Sequence, residues 1–130
     1  KKIEAFSRER LKILKTNLKS KVLLENGVNI IAEKVDVDNA GMVKDLAFQL
    51  KGEIDNLYLV LGAEINGKPN LTVMISDELV EEKELNAGQI VREAGKEIKG
   101  GGGGQPFYAT AGGKDPSGIP AAIEKALTFL

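Results

Sequence analysis

Five consecutive glycines, Gly100–Gly104, followed by the pair Gly112–Gly113 and by Gly118, constrain this chain more than any other feature. Glycine loses more backbone freedom on folding than any other residue, so a run of them inside a compact domain must offset that cost. Glycine-rich composition alone describes a flexible linker. The alternative is an ordered surface where a ligand's backbone or phosphates approach too closely for any side chain, with exposed N–H groups as donors. The apolar cluster Pro106, Phe107, Tyr108, Ala109 and Ala111 follows at once, and then a capped helix, both foreign to linkers. The run is therefore read as an ordered surface loop.

The elements around it follow from periodicity. Residues 1–24 lack Gly and Pro and are rich in Lys, Glu, Leu and Arg, which favour helix. Leu11, Leu14, Leu18 and Val22 recur at helical spacing with Ile3 on the same stripe, while Phe6, Ile13 and Leu24 form a second facet. One stripe docks a helix on its own domain. The second is expected to meet another copy of the chain or a preceding helix, unless both facets face one broad core groove. Glu25-Asn26-Gly27 reads as a stop, and Val28–Val35 as a strand. Asp38 or Asn39 is placed to cap a helix carrying Val43, Leu46, Ala47 and Leu50. The nearly continuous apolar run Leu57–Ile65 describes a strand buried on both faces, and Asn66-Gly67 turns it back into Leu71–Ser76 as a β-hairpin. Residues 77–99 read as helical, with a fresh start at Asn86. Phe107–Ala111 is expected to form a short edge strand, and Asp115-Pro116 to open a last helix whose core face is Ile119, Ala122, Ile123, Ala126, Leu127 and Leu130.

The fold class is thus α/β: a leading amphipathic helix (1–25) ahead of a small layered domain (26–130) with a central mixed sheet, one hairpin and flanking helices. At 130 residues, 42% apolar and 28% charged, the chain is long enough for one buried core and has an ordinary soluble composition. No membrane span or signal peptide is read in it, and a cytoplasmic location is expected. It opens at Lys1-Lys2-Ile3 without Met, as expected of a piece of a longer protein.

Cysteine and histidine are both absent. Their absence excludes disulfide scaffolds, thiol nucleophiles, Ser-His-Asp chemistry and nearly every zinc pattern, and removes the usual general base near neutral pH. No catalytic or metal-binding residues are assigned. The run Glu78, Glu81, Glu82 and Glu84 is read as a solvated face. The net charge of −1 hides an asymmetry: residues 1–25 hold eight Lys/Arg against three Glu, leaving ten basic and sixteen acidic residues beyond. Such a division hints at partners rather than fold.

The pattern Gly-Gly-Gly-Gly-x-Pro-x-x-Ala-x-Ala-Gly-Gly over Gly101–Gly113, with the element order before it, resembles the DHH-associated domain family, and within it the C-terminal domains of alanyl-tRNA synthetases. The likeness covers essentially the whole chain. It implies a module without chemistry of its own that binds the outer corner of tRNA (here tRNA-Ala), helps charging and editing act on one tRNA, and dimerises. It also implies a parent ligase that uses ATP and Mg, with Zn in its editing domain, and no cofactor in this segment. Gln105 stands where relatives commonly carry Arg, and brings no charge to that point.

The expected RNA-binding set is Lys96, Lys99, Gly100, Gly101, Gly102, Gly103, Gly104, Gln105, Tyr108, Gly112, Gly113, Lys114 and Ser117. Tyr108 is expected to face outward for stacking on an unpaired base. The expected dimerisation set is Ile3, Phe6, Leu11, Ile13, Leu14, Leu18, Val22 and Leu24. The alternatives are the nucleotide-binding domain of a DHH-family phosphoesterase, which the long leading helix disfavours, and a purely structural dimerisation module.

Overall fold

The computed structural model describes residues 12–35, 37 and 39–129. Residues 12–20 are helical (α1). Beyond them the chain runs β1 (Leu23–Glu25), β2 (Val28–Lys34), α2 (Ala40–Glu53), β3 (Leu57–Ile65), β4 (Lys68–Ile75), α3 (Asp77–Glu82), α4 (Ala87–Ala94), β5 (Gly101–Gly104), β6 (Tyr108–Gly112) and α5 (Ile119–Leu127). A 3-10 turn at Gly95–Ile98 extends α4, and another at Pro116–Gly118 leads into α5.

The six strands form one mixed sheet in the order β1-β2-β3-β4-β6-β5. Only β2 and β3 run parallel, joined by the crossover helix α2, and the other pairs are antiparallel. β3 lies near the centre and is buried on both faces from Leu57 to Ala63, which is why its sequence shows no polar alternation. Val60, Leu71, Val73 and Ile75 point to a core closed by Leu79, Ile90, Val91, Ala94, Ile119 and Ala122 of the later helices. Ile31, Leu59, Leu61 and Met74 point the other way, to Val43, Leu46, Ala47 and Leu50 of α2 and Leu18 of α1. The result is three layers, with helices on both faces of the sheet.

Several local signals act as their chemistry requires. Asn39 caps α2 by accepting the Met42 N–H at 3.0 Å, and Asn86 caps α4 by accepting that of Gln89 at 3.1 Å. Ser76 precedes α3 but does not cap it. Its hydroxyl accepts the Leu57 N–H at 2.8 Å, tying the end of β4 to the start of β3. Residues 83–86 interrupt the helix expected over 77–99, with Glu84 at φ 54°. Tyr58, fully buried in β3, donates its hydroxyl to the Ala126 carbonyl and so anchors α5. Burial pushes its phenol well above the ordinary range.

The structure departs from the sequence expectation at two strands. Leu23 and Leu24 are not the end of a helix: Leu23–Glu25 is a strand paired with β2 through Asn26-Gly27, whose φ values of 51° and 80° make a type I′ turn. The same dipeptide at 66–67, with φ 53° and 77°, makes the hairpin that the sequence predicts. The glycine run is likewise a strand rather than a loop. Gly101–Gly104 pairs with Gly112–Ala109 and forms one edge of the sheet, so β6 is an inner strand and not an edge. The N-terminal eleven residues of the expected leading helix lie outside the described residues.

α1 is held by packing and charge. Lys15 and Lys19 both reach the Glu53 carboxylate at 2.7 Å, at the end of α2. Their hydrogen bonds, Lys15 first, hold that carboxyl down at about 2. The group is solvent-exposed, so screening keeps the ion pairs a minor addition to the burial of Leu18.

Candidate functional site

The glycines divide into two classes by what a side chain would meet. At Gly100, Gly102 and Gly104 an added Cβ runs into the backbone of the paired strand, at 1.9 Å from Gly112 O, 2.0 Å from Thr110 O and 2.7 Å from Tyr108 O respectively. Gly113 and Gly118 are equally closed, at 2.2 Å from Ile98 O and 1.8 Å from Glu97 O, because the two 3-10 turns pack there at backbone distance. These five are glycine because the fold requires it. At Gly101, Gly103 and Gly112 nothing lies within 4 Å. The fold gives no reason for their missing side chains.

The three open glycines share one face of the sheet. Gly101 pairs with Gly112 and Gly103 with Thr110, and cross-strand partners project to the same side. The next strand continues that face with Asn70 opposite Gly112 and Thr72 opposite Thr110. Tyr108 belongs to it too, and packs on Phe48 of α2 with ring centroids 5.1 Å apart. The strip thus lies on the α2 side of the sheet, where it forms a floor of Gly, Thr and backbone beside that helix. α4 covers the opposite face at backbone distance: a Cβ on Gly88 would lie 3.2 Å from Gly104 O, and one on Gly95 would lie 3.3 Å from the Gly101 Cα.

The edge of the floor carries donors. Gln105 and Tyr108 exchange backbone hydrogen bonds across Pro106-Phe107, at 2.8 and 3.3 Å. By the alternation of an antiparallel ladder, Gly101 and Gly103 then bond to β6, while Gly102 and Gly104 turn their N–H and C=O groups to the free edge. One set of glycines supplies a bare surface and the other supplies amides beside it.

Cations surround this strip. Lys99 and Lys114 flank its Gly101/Gly112 end, where the Lys114 N–H donates to the Ile98 carbonyl at 2.9 Å, and Lys68 begins the adjacent strand. None of the three forms an ion pair among the described residues. Lys68, Asn70, Gly112 and Gly113 share a shallow depression of about 380 Å³ with Ala40, the first residue of α2. Ala40, Lys44 and Phe48 follow at a spacing of four on that helix, so Lys44 lies on the stripe bordering the floor. Lys51 closes the far end, 4.3 Å from the Phe107 ring centroid and 3.3 Å from Asp77.

Not every expected residue is available as expected. Tyr108 does not stand outward: it is half-buried against Phe48, and burial raises its phenol. Phe48, at 42% exposure, is the aromatic that faces water. Ser117 offers no free donor, since its N–H (3.1 Å) and its hydroxyl both donate to the Asp115 carboxylate. Those bonds, the hydroxyl's first, hold that carboxyl below its usual range. Lys96 pairs with Glu93 at 3.3 Å, while Gln105 is exposed beside the strip.

Sequence reasoning does not single out Phe48, Lys44, Lys51, Lys68 or Thr110. The signal for Phe48 is a large apolar residue off the core stripe of an amphipathic helix.

Of the residues expected at a dimer contact, Ile3, Phe6 and Leu11 lie outside the described residues. Leu18 is buried in the chain's own core with Leu14 and Val22 packed against it, whereas Ile13 and Leu24 are exposed. Among the described residues no helix is long and apolar enough to cross a membrane.

Known proteins share this architecture. The family model described as the DHHA1 domain matches residues 27–130. A protein of Christiangramia forsetii named alanine–tRNA ligase is 57% identical over 98% of this chain and 15% of its own length. One of the same name from Cytophaga hutchinsonii is 45% identical over 97% of the chain and 14% of its own length. The chain therefore spans about a seventh of these relatives. Among solved structures, the C-Ala domain of Aquifex aeolicus alanyl-tRNA synthetase superposes with a TM-score of 0.73 at 24% identity, covering 84% of this chain and 96% of that one. A DHH-domain protein assigned to a family of ribosomal proteins superposes at 0.60 and 13% identity, over 93% of this chain and 30% of that one. At such identities both show the fold alone.

Proposed function

The chain belongs to the DHHA1 domain family, and from that premise we propose that it is the C-terminal, non-catalytic domain of an alanine–tRNA ligase that docks the outer corner of tRNA-Ala on its glycine strip. One observation carries the reading. Gly101, Gly103 and Gly112 lack side chains where the fold leaves room for them, and all three open onto the same strip. A surface kept bare without structural need is suited to close approach by a sugar-phosphate backbone. The edge amides of Gly102 and Gly104 then donate to phosphate oxygens, and Lys44, Lys68, Lys99 and Lys114 supply the charge. Phe48 offers an exposed ring for a base, in the place expected of Tyr108.

Relatives named alanine–tRNA ligase support the choice of parent. In this reading the domain helps aminoacylation and editing act on one tRNA by holding its elbow. ATP, magnesium and the editing zinc belong to other domains of the ligase. Among the described residues, no three His, Cys, Asp or Glu side chains gather as a metal site. Self-association through the leading helix is also part of the proposal, with Ile13 as its exposed apolar residue among those described.

Beyond residue 25 the chain holds ten basic and sixteen acidic residues, so binding by the domain alone is expected to be weak and salt-sensitive. Linkage to further tRNA-binding domains strengthens it in the parent. Titration of the chain with intact tRNA and with tRNA lacking its elbow, each at two salt concentrations, tests this. Binding to intact tRNA that falls with salt and disappears with the elbow is the expected result. Equal binding to both RNAs, or none at low salt, refutes it.

A further inference from the structure

Two polar side chains are buried among the described residues, Thr72 at 1% exposure and Ser76 at 4%. Ser76 serves the fold, tying β4 to β3 through the Leu57 N–H. Thr72 joins no elements in this way. Its hydroxyl donates to the Asn70 carboxamide oxygen at 3.3 Å, two residues back on the same face of β4. Valine would fill the place between Leu61 and Thr110 with much the same shape and no hydroxyl to bury. What the hydroxyl adds is an orientation: it turns the Asn70 oxygen inward and leaves the NH2 group outward. That group has no partner among the described residues and is open to water. Gly112, opposite Asn70, places no side chain beside it.

Thr110, opposite Thr72, is the other polar side chain of the floor. Its hydroxyl has no partner among the described residues either, and since no buried polar side-chain atom there goes unbonded, it too meets water. Asn70 and Thr110 are diagonal neighbours across the β4–β6 ladder, about 7–8 Å apart at Cα with their side chains nearer, a gap that one hydroxyl group spans. Both groups are neutral, and their place along the strip says what they meet. Gly112, Thr110 and Tyr108 follow at two residues, ~6.8 Å, per step on β6. Gly112 lies at the end flanked by lysines and Tyr108 lies beside the exposed Phe48 ring. Cations hold a phosphate and a ring holds a base. The sugar falls between them, at Asn70 and Thr110.

We infer that Asn70 and Thr110 read a ribose 2′-hydroxyl at the middle of the strip, with Thr72 as the positioning residue that presents the Asn70 amide. This role rests on the tRNA-docking reading and adds to it a choice of sugar. The Asn70 NH2 donates to the 2′-oxygen, and the 2′-hydroxyl donates to the Thr110 Oγ1, which a hydroxyl can do and a phosphate oxygen cannot. Deoxyribose leaves both groups unpaired beneath a nucleic acid that has displaced their water. The lysines and the edge amides make no such distinction, because RNA and DNA present them with the same phosphates. The bare floor has a part as well: a side chain at Gly112 would stand opposite Asn70, and one at Gly103 opposite Thr110, each in the way of the sugar.

The test compares affinity for tRNA-Ala with affinity for the same tRNA carrying 2′-deoxy nucleotides throughout its elbow loops, at low salt. The wild-type chain is expected to bind the deoxy form about tenfold more weakly. Asn70→Ala or Thr110→Val should each weaken binding of the all-ribose tRNA and cut the deoxy penalty to about threefold, and the two together should remove it. Thr72→Val, which alters no group that touches RNA, should cut the penalty to about threefold, and Thr72→Ser, which keeps the hydroxyl, should leave it whole. None of these changes alters a charge, so the salt slope stays at the wild-type value. Should Thr72→Val lose the fold, seen by circular dichroism, the double variant at Asn70 and Thr110 decides alone. Equal binding of both tRNAs by the wild type overturns the inference and leaves the docking reading standing. A penalty undiminished in the double variant also overturns it, since the discrimination then arises elsewhere. Absence of binding to the all-ribose tRNA refutes the docking reading itself, and the choice of sugar falls with it.

Discussion

Gly102→Ala lowers the melting temperature by roughly 6–12 °C, whereas Gly103→Ala leaves it unchanged or raises it slightly. The two residues are adjacent, have the same neighbours in composition and lie in the same strand. They differ in where a Cβ goes. At Gly102 it would lie 2.0 Å from Thr110 O and 2.5 Å from the Ala111 Cα, in the backbone of the partner strand. Backbone cannot rotate away as a flexible side chain does, so the ladder between β5 and β6 must shift or open. Forced overpacking of this kind costs about 2–3 kcal/mol. At Gly103 a Cβ enters open space, and removing a glycine from the unfolded chain at a compatible site favours the folded state by about 0.5 kcal/mol. Thermal unfolding of the two variants decides the matter, and equal losses would show that the strand has no such alternation.

Gly103→Val leaves the fold intact but reduces affinity for tRNA by ten- to a hundredfold. Valine suits an extended strand, and its side chain projects onto the strip shared with Gly101, Gly112 and Thr110. A phosphate held by the Gly102 or Gly104 amide is then pushed out of hydrogen-bond reach. Charge-assisted bonds of that kind are worth about 1.5–3 kcal/mol, which gives the stated range. The loss comes from shape, so the slope of log affinity against log salt stays constant. Lys114→Ala behaves in the opposite way: it lowers that slope by somewhat under ~1 unit with a smaller loss at low salt. A Gly103→Val protein with wild-type melting and wild-type affinity would mean that the strip is not the RNA surface.

Much of this architecture is legible from residues alone, and the failures have specific causes. Leu57–Ile65 is apolar without alternation because helices cover both faces of β3, and a strand of that kind declares itself. Asn66-Gly67 announces its hairpin because alternating apolar segments flank it on both sides. The identical dipeptide at 26–27 is masked by a preceding segment of strong helix formers, so Leu23–Glu25 reads as helix, although pairing with Val28–Ile30 makes it a strand. Tertiary pairing overrides propensity there. β5 is hidden for a different reason: glycine is among the poorest strand formers, and nothing in four glycines discloses that every second one is locked by its partner strand.

The candidate site is half legible. Its glycines and the flanking Lys99 and Lys114 stand close in sequence and can be found together. Lys44, Phe48 and Lys68 reach the same strip only because α2 crosses beside β4 and β6, a placement that no local pattern carries. Tyr108 is misjudged because its neighbour across the sheet face is that same helix, whose Phe48 takes up the ring.

On the proposed function, tRNA lies on the face of Gly101, Gly103 and Gly112. Titrating the isotopically labelled chain with tRNA, while following every backbone amide by NMR, measures this directly. The amides of Gly101–Gly104, Thr110, Gly112 and Lys114 are expected to shift first and most, with those around Lys44 and Phe48 next, while β1 and the acidic helix α3 stay still. Shifts concentrated on α1, α3 or β1, with the glycine amides unmoved at saturation, would contradict it.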